Sequence, residues 1–183
     1  AATFFNNSAL SFGAGMYVDG PLIIVASQIA SNTISGSAHG GGIYASGFLT
    51  LTQVNVLSNT ASHSGGGIYA LSGAIVNGGV FRNNVAQNST DGLTGGGGAI
   101  YCNGSVTMTG TQVITNTVAG SGAGAGIYAN GGLVLTSTQL LSNTISEDST
   151  TGGAGAFAEG DAILAGGLFQ NNYCAGANCQ GGA

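Results

Sequence analysis

The chain has 183 residues, only 4% of them charged, with a single basic side chain, Arg82, against six acids. One cation cannot neutralise a run of phosphates, so neither a nucleic-acid partner nor an anionic membrane surface is expected. No apolar run approaches the ~20 residues that a membrane helix needs, so membrane insertion is not expected, and the apolar content of 43% separates the chain from disordered sequences.

Residues 1–22 enter at Phe4-Phe5-Asn6, and from there variants of one unit recur to the end. Repeats run over about 22–48, 49–72, 73–104, 105–132 and 133–160, with a partial repeat from 161. Two anchors set the register. One is an asparagine after an apolar pair: Asn6, Asn32, Asn59, Asn83, Asn116, Asn143 and Asn171, at spacings of 26, 27, 24, 33, 27 and 28. The other is a small residue, an apolar residue and a tyrosine, giving Tyr17, Tyr44, Tyr69, Tyr101 and Tyr128, with Ala156-Phe157-Ala158 as an aberrant copy. Insertions fall in one place, between the asparagine and the glycines, at 87–95 and 147–152.

Within a repeat, apolar and polar residues alternate, as in Leu49-Thr50-Leu51-Thr52. Period two is a strand signal, and the glycine content disfavours helix. A self-similar period of this length with strand patterning predicts an all-β fold, a parallel β-helix (solenoid) of about six to seven coils of roughly 24–33 residues. It is expected to form a single domain over 1–183 that begins and ends in mid-coil. Alignment on the asparagines puts Ile24, Leu51, Ile75, Met108, Leu135 and Ile163 in one inward row. Leu57 and Ala61 flank Asn59 at even spacing, so the asparagines are expected to face inward with them and to bond one another as a ladder. Dipeptides ending in glycine after the tyrosines, such as Ser46-Gly47 and Asn103-Gly104, read as corners in which glycine supplies a positive φ.

The outward rows then read Ile23, Thr50, Ala74, Thr107, Val134, Ala162 and Val25, Thr52, Val76, Thr109, Thr136, Leu164. They form a β-branched face more apolar than a solvated sheet requires. The tyrosine row has two readings, a stack that stabilises itself or an outward glycan-contact row. Stacking is the favoured one.

Cys174 and Cys179 lie close enough to pair, and a disulfide there points to an oxidising, extracytoplasmic setting. Cys102 stands where other repeats have Ala45, Ala70 and Ala129. Asn88-Ser89-Thr90 and Asn103-Gly104-Ser105 match the acceptor pattern for N-glycosylation at Asn88 and Asn103.

No catalytic, cofactor or metal constellation is legible. Glu159 and Asp161 lack an acidic neighbour in the preceding repeat, whereas glycoside hydrolysis needs paired carboxylates at set separations. His39 and His63 sit in glycine corners with no third ligand in register and read as solvated loop histidines. The chain is therefore expected not to be an enzyme.

Gly97-Gly98-Ala99-Ile100, with variants at 41–43 and 66–68, resembles the glycine-glycine-apolar motif of polymorphic outer-membrane protein repeats. Phe4-Phe5-Asn6-Asn7, Phe81-Arg82-Asn83-Asn84 and Phe169-Gln170-Asn171-Asn172 resemble the accompanying motif, in which asparagine follows phenylalanine by three places. In other repeats, Thr33, Thr60, Thr117 and Thr144 stand at that asparagine in the alignment. The resemblance implies a right-handed parallel β-helix, extracellular or on the cell surface, as in bacterial adhesins.

With both ends inside a repeat, the end coils should expose strand edges and an apolar cross-section, a geometry that stacks head to tail. The expected function is an extracellular structural β-helix, a subunit or segment of a surface fibre or adhesin shaft. Its partner would be itself, as a head-to-tail homopolymer, or the neighbouring coils of a longer chain. The alternative is a module that binds carbohydrate or a cell surface through the tyrosines, with a polysaccharide-degrading enzyme behind it. Ice binding by the Thr50/Thr52 face ranks last, because in this alignment threonine does not recur regularly.

Overall fold

The computed structural model describes residues 1–87, 95–147, 152–176 and 179. Among them every strand pairing is parallel and joins one coil to the next, and no helix occurs. The result is a β-solenoid of about six turns.

Each coil contributes to three main sheets, and Gly95–Gly96 pairs with Gly122–Ala123 as a fourth, two-stranded one. The six-stranded sheet holds the tyrosines, in Met16–Val18, Ile43–Ala45, Ile68–Ala70, Ile100–Cys102, Ile127–Ala129 and Ala156–Ala158. The seven-stranded sheet consists of two-residue strands such as Thr60–Ala61, just after the ladder asparagines. The eleven-stranded sheet usually takes two segments per coil, for example Leu22–Val25 and Gln28–Ala30, which fuse into single strands at Leu49–Leu57 and Ala74–Arg82.

Left-handed residues at three corners turn the chain in each coil, and Gly20, Gly79, Gly152 and Gly167 have positive φ besides. The first corner is Ala26, Gln53, Gly78, Gly110, Ser137 and Gly166, with φ between 47° and 69°. The second is Asn6, Ser31, Ser58, Asn83, Thr115, Ser142 and Asn171, with φ between 52° and 57°. The third is always glycine, as at Gly40, Gly65 and Gly97. A Cβ on any of these three would strike the carbonyl of the residue three places on, so glycine is required there by space as well as by φ.

The dipeptide glycines differ from expectation. Among them only Gly20 has a positive φ. A Cβ on Gly104 would meet the Ser72 carbonyl, and one on Gly47 would meet the Gly20–Pro21 peptide. These glycines permit one coil's backbone to lie against the next.

The second corner also corrects the register. A left-handed residue interrupts strict alternation, so Val56 and Asn59 point inward, both fully buried, while Leu57 is half-exposed. Phe4, Ile29, Val56, Phe81, Val113, Leu140 and Phe169 pair in sequence down the stack. The inward row before the first corner is Ile24, Leu51, Val76, Met108, Leu135 and Leu164. Ile75 and Ile163 therefore face outward, and Val76 and Leu164 inward, opposite to the expectation. The main core is an apolar column of the buried members of these rows plus Ile43, Ile68, Ile100 and Ile127, and Ala86, Val118, Ala125, Ile145 and Ala154 form a second, smaller cluster.

Candidate functional site

The most ordered chemistry in the molecule is a column of asparagines, Asn7, Asn32, Asn59, Asn84, Asn116, Asn143 and Asn172, all buried except the exposed first rung, Asn7. Each of the first six donates its backbone N–H, at 3.0 Å, and one side-chain N–H, at 2.8–3.0 Å, to Oδ1 of the asparagine in the next coil. The second side-chain N–H reaches back to the preceding coil. Asn59 Nδ2 donates to the Ile29 carbonyl at 2.9 Å and Asn84 Nδ2 to the Val56 carbonyl at 2.8 Å. An inner rung thus uses both amide hydrogens and fills its oxygen with two donors, so its polar atoms are satisfied without water. Aspartate has no N–H to give, and glutamine is one methylene too long for the same reach.

Three expected rungs are corrected. Asn6, Asn83 and Asn171 occupy the left-handed corner and are exposed; their successors Asn7, Asn84 and Asn172 make the ladder. Where two asparagines adjoin, the first takes the φ > 0 site that asparagine tolerates, and the second turns in. Ser31, Ser58, Thr115 and Ser142 fill the same corner in the other coils. The phenylalanine motif carried the right signal: Asn7 lies three places after Phe4, as Asn32 does after its register partner Ile29. Thr33, Thr60, Thr117 and Thr144 are therefore not departures from the motif, because Asn32, Asn59, Asn116 and Asn143 stand in its place.

The glycine-glycine-apolar motif makes room for this ladder. A Cβ on Gly42 would lie 3.1 Å from Asn59 Cγ, and one on Gly67 3.1 Å from Asn84 Cγ.

Tyr17, Tyr44, Tyr69, Tyr101 and Tyr128 pair in register and continue into Phe157. Successive ring centroids are 5.2, 5.4, 4.7, 4.7 and 5.1 Å apart, and the tyrosine planes are within 9° of parallel. Each inner ring has both faces covered by its neighbours. The stack leaves edges and hydroxyls outward, whereas a sugar ring packs on an open aromatic face. Burial, then the neighbouring phenols, push Tyr69 up to about 12. Burial, then Tyr101 and Glu159, do the same for Tyr128, whose hydroxyl donates to Glu159 Oε1 at 3.3 Å.

His39 is not a solvated loop residue. Its ring lies 4.5 Å from that of Tyr69, 5.3 Å from His63 and 6.0 Å from Phe12, and its Nδ1 accepts from the Ser64 N–H at 3.2 Å. Burial, then the charge of His63, hold it down at about 4. Groups of three or more His, Cys, Asp or Glu placed to hold a metal are absent among the described residues.

Cys174 and Cys179 are joined by a disulfide, with Cα atoms 6.0 Å apart. Cys102 is free and buried, in register with Ala70 and Ala129. Burial raises its thiol pKa. Asn103 is exposed and accepts from Asn130 Nδ2. Asn88 lies outside the described residues.

No family model, curated protein or solved structure matches the chain.

Proposed function

We propose that this chain is a structural β-solenoid of the extracellular space or cell surface, a shaft segment of a fibre or adhesin that extends by stacking coil on coil. The observation that carries this reading is the asparagine ladder: from Asn7 to Asn172 each coil is tied to the next by the same pair of N–H donations to one Oδ1, so one interface repeats along one axis. Asn172 accepts from Asn143 and donates to the Leu140 carbonyl as inner rungs do.

Two further features support the reading. Ladders and stacked rings hold coils together along one axis and suit a load-bearing rod. The Cys174–Cys179 disulfide suits an oxidising compartment. Polymorphic outer-membrane protein repeats remain the resemblance that accounts best for the glycine and phenylalanine–asparagine motifs.

Electron microscopy of the full encoded polypeptide tests the proposal. The expected image is a rod of uniform width, longer than the ~30 Å that six coils span at ~4.8 Å each. A compact particle no longer than that stack overturns it.

A further inference from the structure

The chain holds three asparagine–glycine pairs, Asn77-Gly78, Asn103-Gly104 and Asn130-Gly131, and the fold gives each a different backbone setting. Asn77 lies inside the strand Ala74–Arg82, paired with Thr52 on one side and Thr109 on the other. Asn103 and Asn130 lie in the turn after the tyrosine strand, Asn103 exposed and Asn130 half-buried.

That turn follows one pattern with one exception. At Gly47, Gly131 and Gly160 the N–H donates to the glycine carbonyl one coil earlier, that of Gly20, Gly104 and Gly131, at 3.1–3.2 Å. At Gly104 the residue one coil earlier is Ser72, whose carbonyl oxygen stands where a Cβ of Gly104 would be. Among the described residues no carbonyl accepts the Gly104 N–H. It bonds to the sulfur of Cys102, a weak acceptor that stands where the adjacent coils have Ala70 and Ala129.

Glycine after asparagine has no Cβ to hinder attack by its backbone nitrogen on the asparagine side chain. The Gly104 nitrogen gives its proton to a base in solvent and bonds to Asn103 Cγ. The bond from Cγ to the side-chain nitrogen then breaks, and that nitrogen takes up a proton and leaves as ammonia. The product is a five-membered succinimide. Water opens it at either carbonyl to give aspartate or isoaspartate, so one water is consumed and one ammonia released. Two features of this turn favour ring closure. Asn130 Nδ2 donates to Asn103 Oδ1, the atom on which negative charge develops. The proton to be removed is held by a sulfur and not by a carbonyl. At Gly131 a backbone hydrogen bond must break first. At Asn77, strand pairing on both sides opposes the rotation that brings the nitrogen to Cγ.

We propose that Asn103-Gly104 is a self-modification site, where ring closure converts Asn103 to aspartate and isoaspartate while Asn77 and Asn130 persist. The inference is independent of the shaft reading. Isoaspartate adds a methylene to the main chain where Gly104 lies against Ser72, so the modification loosens this contact between coils with age.

The test is ageing of the purified chain in warm, mildly alkaline buffer, both folded and in guanidinium chloride. Peptide mass mapping follows each pair for the gain that exchange of –NH2 for –OH brings, and isoaspartyl methyltransferase labels the iso product. In the folded chain Asn103 is expected to convert about tenfold faster than Asn130 or Asn77, the rate equivalent of one backbone hydrogen bond. In guanidinium chloride that preference is expected to vanish. Persistence of Asn103 in the folded chain, or conversion no faster than that of Asn130, overturns the proposal. So does the same preference in denaturant, because it then belongs to the local sequence and not to the turn.

Discussion

Asn59 and Asn84 are joined twice, by the backbone N–H and by the side-chain amide of Asn59, both donating to Asn84 Oδ1 at 3.0 Å. Asn83, one residue earlier, faces solvent with φ at 56°. The two neighbours should respond very differently to substitution. Asn59→Ala strands the Asn32 backbone N–H and the Ile29 carbonyl, each at about 1–3 kcal/mol, so a loss of roughly 2–6 kcal/mol is expected. Asn83→Gly keeps the left-handed corner and should cost under about 1 kcal/mol. Urea denaturation midpoints read the difference; equal midpoints would place the wrong asparagine in the ladder.

This pair also shows how far the sequence could be read. The repeat, the parallel stacking and the existence of a ladder follow from periodicity, because a row stays apolar over many coils only where its members share one core. The choice within Asn6-Asn7, Asn83-Asn84 and Asn171-Asn172 does not. It depends on a left-handed residue that breaks period two, and serine or threonine fills that corner elsewhere without announcing its φ. That one-residue slip moved Ile75 and Ile163 inward and put Val76 and Leu164 outside. The environment of His39 was hidden for another reason: its neighbours Phe12 and Tyr69 come from adjacent coils, and Phe12 belongs to no repeat row.

His39 gives the fold an acid-side sensitivity. Its folded pKa, about 4, lies below the ordinary 6.5 because burial and then His63 oppose the charged form. The unfolded chain takes up the proton first. Stability from this site is therefore full above about pH 6.5, declines as pH falls and is lost by about pH 4. Tm measured across that window should fall for the wild type and fall less steeply for His39→Gln, which cannot titrate. Parallel slopes would show that the carboxylates alone set the acid limb.

Glycines that look alike should separate by mechanism. Gly110 has φ at +59° but open space around a Cβ, and its corner holds Gln53 and Ala26 in other coils. Gly110→Asn is expected to change stability by less than about 1 kcal/mol. A Cβ on Gly98 would approach the Ala125 carbonyl oxygen at 2.5 Å and the Thr117 backbone at 2.7–2.8 Å. Those atoms are backbone from the next coil and cannot rotate away, so Gly98→Ala should cost at least the ~1–3 kcal/mol typical of overpacking. Denaturant midpoints for the two variants are the check.

The tyrosine column should limit stability at high pH. Tyr69 is pushed up to about 12 by burial first and by Tyr101 and Tyr44 second. Its folded pKa thus exceeds the unfolded value of about 10. The stabilisation is full below about pH 10 and is lost as pH rises towards 12, since the unfolded phenol ionises first. Tyr69→Phe keeps the ring between Tyr44 and Tyr101 and removes the ionisation, so its alkaline unfolding midpoint should move to higher pH with little change at neutrality. Tyr69→Ala opens a gap between rings now 5.4 and 4.7 Å from Tyr69. It should destabilise the chain at neutral pH by roughly 2–3 kcal/mol, below the 3–5 of a fully buried aromatic because the ring edge is exposed. If Tyr69→Phe proves as damaging at neutral pH as Tyr69→Ala, the hydroxyl and not the stacked ring is what the column requires.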